Sequence, residues 1–216
     1  MQLDEDFRHL LRGFDLDALE EDGSTVVGVW ADHRLAYTNA GWERFAAENG
    51  GTTVVRDWPL GRSILEAIPD ALSPFYAMGV ERAARERQPW THTYECSGPT
   101  EYRLLRLALF PLAPDEDAEV EGFLYIHSPL LQEQWDPRPA VSPLVEEYLS
   151  EGLVVSCAHC RRFRRLRGAL REWVFIPDWL ERAPGPVSHG ICEPCAAYHF
   201  YQRYGIDRAE DAPSQT

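Results

Sequence analysis

Two hydrophobic periods alternate along the chain, and the switches between them divide it into elements. Leu3, Phe7, Leu10, Leu11 and Phe14 recur at helical spacing, which predicts one amphipathic helix over residues 3–21, within an N-terminal segment 1–22. Residues 24–31 (STVVGVWA) are rich in β-branched side chains and read as a strand; Asp32-His33 is a tight turn, and Arg34–Thr38 the returning strand. Asn39 is placed to cap the helix AGWERFAAEN, which Gly50-Gly51 ends. A short helix stopping at Pro69 and a longer one over about 70–87 come next. Three strands follow over about 89–97, 102–112 and 119–128.

The fold class expected is therefore α+β: a five-stranded antiparallel sheet with helices on one face, over residues 23–128. Residues 129–151 read as a proline-rich linker and a short helix, separating this core from a small module over 152–205. Residues 206–216 offer nothing to bury and are expected to be disordered.

Charge sharpens the division. Residues 1–130 carry 11 arginines against 23 acids, residues 131–216 10 against 12, and the chain has no lysine. A net charge of −14 argues against a polyanionic partner such as nucleic acid or an anionic membrane. No apolar run approaches the roughly 18 residues a membrane span needs, and the acidic start MQLDEDF lacks the basic and apolar regions of an export signal. A cytoplasmic location is the expectation.

Four of the five cysteines form two CxxC pairs, Cys157/Cys160 and Cys192/Cys195, 31 residues apart. In a reducing compartment such pairs point to metal rather than to disulfides. Two knuckles supply four thiolates to one tetrahedral zinc, with structural rather than catalytic consequence, because no ligand position is left for water. His159 and His189 stand nearby as outer supports rather than ligands. Cys96 reads as a small buried strand residue.

Two stretches of sequence carry family resemblances. VVGVWADHRLAYTNAGWERFA, with YECSGPTEYRLLRLALFPL and EGFLYIHS, resembles the strands and first helix of bacterial sensory PAS domains, over about residues 20–128. The resemblance implies a sensor in which aromatic side chains either fill the interior or line a pocket for a small apolar ligand. Trp30, Tyr37, Trp42, Phe45, Trp58 and Tyr94 are the candidate lining. It also implies tests for known cofactors. Residues 39–88 hold no cysteine for a flavin adduct and residues 70–88 no axial histidine for haem, so neither cofactor is expected. PAS domains commonly pair, and the stripe over residues 3–14 offers a homodimer contact, the alternative being that it folds back on its own sheet.

SCAHCRRFRR followed by VSHGICEPC resembles a zinc-binding segment found behind PAS and receiver domains in bacterial signalling proteins. Together the two resemblances imply a non-enzymatic sensor or adaptor that acts through protein partners of a signalling pathway. Arg161, Arg162, Arg164, Arg165, Arg167 and Arg171 form the one basic run. They support an alternative, a transcription-associated regulator touching nucleic acid, against a plainer role as partners for the acidic domain. A CxxC thiol redox switch is a further alternative.

Overall fold

The computed structural model of the protein describes residues 1–51, 53–98, 101–134, 144–166 and 172–198. The segment expected to be one N-terminal helix is three short elements instead. They are a strand β1 (Gln2–Leu3), a single 3-10 turn over Arg8–Leu11, and α1 (Leu16–Glu21) capped by Asp15. The helical stripe is real, but the first turn ends at Leu11, and Asp15, in extended backbone, starts α1 separately by accepting from the backbone of Asp17 and Ala18.

β2 (Thr25–Trp30) and β3 (Leu35–Thr38) form the expected hairpin, with His33 in the left-handed region at φ 67°. α2 (Ala40–Glu48), α3 (Val54–Asp57) and α4 (Ser73–Glu86) follow, then β4 (Trp90–Glu95), β5 (Glu101–Leu112) and β6 (Gly122–Gln134). The sheet order is β1-β3-β2-β6-β5-β4, with every neighbouring pair antiparallel. β6 runs six residues past its expected end at 128, so the first part of the expected linker is strand. Its extension pairs with the start of β5, and a bulge at Leu104/Leu105 lets Pro129 sit in the ladder.

Asn39 does more than cap α2. Its carboxamide oxygen accepts from the Trp42 and Val26 backbone N–H groups, while its Nδ2 donates to the carbonyls of Leu19 and Ser24. Glu20 adds a second tie, accepting from the Tyr37 hydroxyl at 2.7 Å and from the Ala40 backbone at 2.9 Å. α1, the hairpin and α2 are thereby fixed to one another by two polar side chains.

Both faces of the sheet are covered. On one, α2 and α4 pack over Val27, Val29, Leu107, Leu109, Phe123 and Tyr125. On the other, Phe7, Leu10 and Leu11 cover Val26, Ala36, Tyr37, Leu112 and Leu124. The stripe expected to pair two copies is thus spent on the chain's own sheet. Phe7 is fully buried and seats where two glycines leave room: a Cβ on Gly28 or on Gly122 would lie 2.7 Å from its ring. Its ring meets Trp30 edge-on at 5.0 Å.

Residues 144–198 build a second, smaller sheet. β7 (Leu149–Ser150) flanks β8 (Leu153–Cys157), which pairs with β9 (Phe163–Arg165); β9 in turn pairs with β10 (Glu172–Val174). After α5 (Asp178–Glu181), β11 (Val187–Gly190) returns parallel to β8, and α6 (Glu193–Ala196) closes the module. Tyr148, Val154, Phe163, Ile176 and Trp179 form its apolar core. The module's apolar core is a cluster apart from those of the first sheet, and the two units meet where His159 of the module lies against His92 and Tyr94 of β4. The remainder of the linker (135–143), Arg167, Arg171 and the tail from 206 lie outside the described residues.

The outer face yields a direct test. Phe7→Ala should cost about 3–5 kcal/mol in chemical denaturation, the range for a large aromatic removed from a filled core. A loss under about 1 kcal/mol, far below that range, would show that residues 1–14 only rest on the sheet.

Candidate metal centre

Parallel pairing of β8 with β11 brings the two CxxC turns together. The register sets Gly190 opposite Cys157, so each strand ends where a knuckle begins. In the first knuckle, Cys157 N donates to the Arg162 carbonyl at 2.7 Å and Arg161 N to the Cys157 carbonyl at 2.9 Å, with Arg161 in the left-handed region at φ 58°. Ala158 N donates to the Gly190 carbonyl at 2.8 Å and stitches the first knuckle to the second. In the second, Cys192 precedes α6 and Cys195 lies one turn on, with Pro194 tolerated in the first turn.

The four sulfurs lie within 4.8 Å of one another and all four cysteines are buried. Cys160 Sγ and Cys192 Sγ stand 3.6 Å apart. That is far beyond a disulfide bond of roughly 2.05 Å. It matches the edge of about 3.8 Å in a tetrahedron with metal–sulfur bonds of about 2.3 Å. The electrostatics point the same way. Hydrogen bonds from Cys160, Cys192 and Cys195 pull the Cys157 thiol well down, while Cys157 pushes Cys192 and Cys195 up. Cys160 is also lowered, to about 7, so thiolate is welcome on the first knuckle and opposed on the second. A thiophilic divalent cation removes that opposition, so the donor set fits zinc.

Trp173 and Ile191 pack against the sulfurs. His159, inside the first knuckle, places Nδ1 3.5 Å from Cys195 Sγ, and burial lowers its pKa to about 4, so it stays neutral. His189 is exposed on β11 and takes no part. Among the described arginines of the basic run, Arg165 pairs with Glu147 at 2.5 Å and Arg162 with Glu95 of β4 at 3.5 Å. The run is partly consumed by carboxylates, one of them on the first domain.

Of the six residues expected to line a pocket, the structure brings two together. Trp42 and Phe45 face a cavity of about 420 Å³ between α2, the start of β5 and the module. Trp30 and Tyr37 belong to the opposite face, packed with the N-terminal segment. Trp58 lies under the Arg62 guanidinium, and Tyr94 packs in the helix-covered core with its hydroxyl 2.6 Å from His127 Nδ1. The wall is also not the apolar one expected. Arg103, only 5% exposed, lies over the Phe45 ring, donates to the Cys96 carbonyl and to Asn49, and pairs with Glu101. Cys96 itself is half-buried just past β4 and lines this cavity, rather than standing inside a strand. Leucines at both parities of β5 conceal the inward arginine in the sequence; counting in twos from Leu107 and Leu109 turns Arg103 inward and Arg106 outward.

Two strands, three helices and three strands make one antiparallel sheet, with the first and last of those strands paired at its centre. The fold is PAS-like. No family model and no curated protein matches the chain. Among solved structures, it is similar to a PAS domain from Colwellia psychrerythraea at 14% identity, with TM-score 0.39, covering 53% of this chain and 92% of that one. A sensory-box histidine kinase structure from Vibrio cholerae matches at 16% identity, with TM-score 0.38 and coverage of 58% and 92%. A light-oxygen-voltage domain described with a flavin analogue matches at 16% identity, with TM-score 0.38 and coverage of 54% and 84%. Likeness at this level carries nothing about ligands, and with such a domain among the matches the comparisons lend no support to the exclusion of flavin.

Two outcomes follow for the purified, reduced protein. It should bind one zinc per chain, and cobalt in its place should give an intense thiolate-to-metal absorption band; Cys157→Ser should abolish both. Absence of stoichiometric metal would reject the site. Separately, burial lowers the His127 pKa to about 4. The unfolded chain then binds the extra proton first, so this group's stabilisation is present above about pH 6.5 and is lost as pH falls towards 4. Melting temperatures of the chelated protein between pH 7 and 5 should fall more steeply for the wild type than for His127→Gln. Equal slopes would contradict the assignment.

Proposed function

We propose that the chain is a non-enzymatic signalling sensor or adaptor, in which a PAS unit senses a small ligand or contacts protein partners and a four-cysteine module holds structural zinc. The observation that supports it best is the cavity of about 420 Å³, walled by the PAS unit on one side and by Arg161 and Leu180 of the module on the other. A ligand there would touch both units, which is what a domain that reports on a ligand requires. The donor set argues against hydrolysis, since four sulfurs complete a tetrahedral ion and leave no place for water.

The nucleic-acid reading is not favoured: Arg162 and Arg165 already pair with carboxylates, and the net charge is −14. A cytoplasmic setting suits free thiols, and none of the described helices is long and apolar enough to cross a membrane. Pairing of two copies through residues 3–14 forms no part of the proposal, because those residues cover the sheet.

Native mass spectrometry of the full chain tests the sensing branch. A small molecule retained by the wild type and lost in Trp42→Ala, with a stability loss well under about 3 kcal/mol, supports a ligand site. A loss of about 3–5 kcal/mol with no small molecule in either protein would identify a filled core, and with it a domain that works only through protein contacts.

A further inference from the structure

The metal module does not hang from the PAS unit as an independent bead. Two residues of its first knuckle touch β4, and a third lines the cavity beside it. His159 is the deepest. Its ring centroid lies 6.4 Å from that of His92 and 6.2 Å from that of Tyr94, both on β4. On the metal side the same imidazole sits 3.5 Å from Cys195 Sγ. Arg162 makes the second bridge, hydrogen-bonded to the Cys160 side chain and paired with Glu95 at 3.5 Å. Arg161 lines the cavity together with Trp42, Phe45 and Arg103.

What these residues touch reaches into the PAS core. His92, 3% exposed, stacks on Trp90 at 5.0 Å and on Tyr94 at 5.4 Å, and meets Phe75 and Tyr76 of α4 edge-on at 5.0 and 5.5 Å. Tyr94 joins His127 on the central strand β6 through its hydroxyl at 2.6 Å. A continuous set of packed rings therefore runs from a cysteine sulfur, through His159, to the main helix and the middle of the sheet.

The knuckle that presents His159 is the turn between Cys157 and Cys160. Its shape is set when both sulfurs, with those of Cys192 and Cys195, are drawn to one cation. Without the cation the four side chains have no common point to converge on, and the imidazole loses the sulfur cluster that backs it against β4.

We infer that the four-cysteine centre is itself a sensory input: its occupancy by a thiophilic divalent ion such as zinc is transmitted to the PAS unit by seating His159 against His92 and Tyr94. This rests on the metal reading above and goes beyond it, because zinc is assigned a signal and not only a structural duty. Both states of the switch are states of one chain. With metal, the module closes the edge of the PAS core and one wall of the cavity. Without it, that wall and the contact on β4 are released together.

Hydrogen exchange on the full chain, with zinc bound and after chelation under reducing conditions, separates the possibilities. Chelation should raise exchange in the module and also, by about tenfold or more, in residues 90–96 and in the part of α4 that holds Phe75 and Tyr76. His159→Ala keeps all four thiols, so it should still bind one zinc per chain. Its exchange in residues 90–96 should already have risen most of the way to that of the metal-free wild type, and chelation should add little there, the remainder being the Arg162–Glu95 bridge. Glu95→Gln, which keeps all four thiols and removes only the ion pair to Arg162, should reproduce part of this effect. Exchange that rises only in residues 153–198 on chelation, with 90–96 unchanged, would overturn the sensing inference and leave the metal site standing. Failure of the wild type to bind zinc or cobalt would overturn both.

Discussion

Four thiol sulfurs occupy one buried volume, all within 4.8 Å of one another, and most of the module's geometry answers to that crowding. A unit of about 50 residues buries too little apolar surface to be safe on its own. Its core is five buried residues under a five-stranded sheet of short strands. Structural zinc held by a small module contributes an apparent ~10–16 kcal/mol at neutral pH, more than such a core supplies. The parallel β8–β11 pairing, the left-handed Arg161 and the turn into α6 are each explicable as means of bringing four sulfurs to one point.

The PAS unit solves a different problem, that of a sheet with apolar side chains on both faces. α2 and α4 cover one and the N-terminal segment the other, with the Phe7 ring let into the space above Gly28 and Gly122. Nothing in that arrangement needs metal. What joins the two halves is the edge strand β4, whose inward side chains meet the first knuckle where a further strand or helix would otherwise be required. That seam brings the PAS-like unit and the module into contact through His159 and Arg162. It also places a polar, arginine-bearing cavity between them rather than an apolar one inside the sheet.

Much of this was legible in the sequence. β-Branched content and the Asp32-His33 turn marked β2 and β3, Asn39 marked the start of α2, and the two CxxC pairs marked the four clustered cysteines. The errors share a cause. A stripe at helical spacing over Leu3–Phe14 says which side chains face a core, and not whether the backbone between them is one helix; here it is a short strand followed by a single 3-10 turn. Six aromatics were grouped by residue type, but Trp30 and Tyr37 differ from Trp42 and Phe45 in which face of the sheet they occupy. On β3 a bulge that leaves Ala36 between the partners of Gly28 and Val29 breaks the alternation from Leu35 to Tyr37. His92 and His159 carry no local pattern at all. Their meeting depends on how two domains dock, which no period along one chain records.

The central claim is that one ion is held by four sulfurs and that His159 supports it from outside the ligand set. X-ray absorption at the zinc edge of the loaded protein addresses this directly. The predicted result is a single shell of four sulfurs at about 2.3 Å with no nitrogen scatterer. A shell of three sulfurs and one nitrogen at about 2.0–2.1 Å would place His159 in the coordination sphere and contradict it.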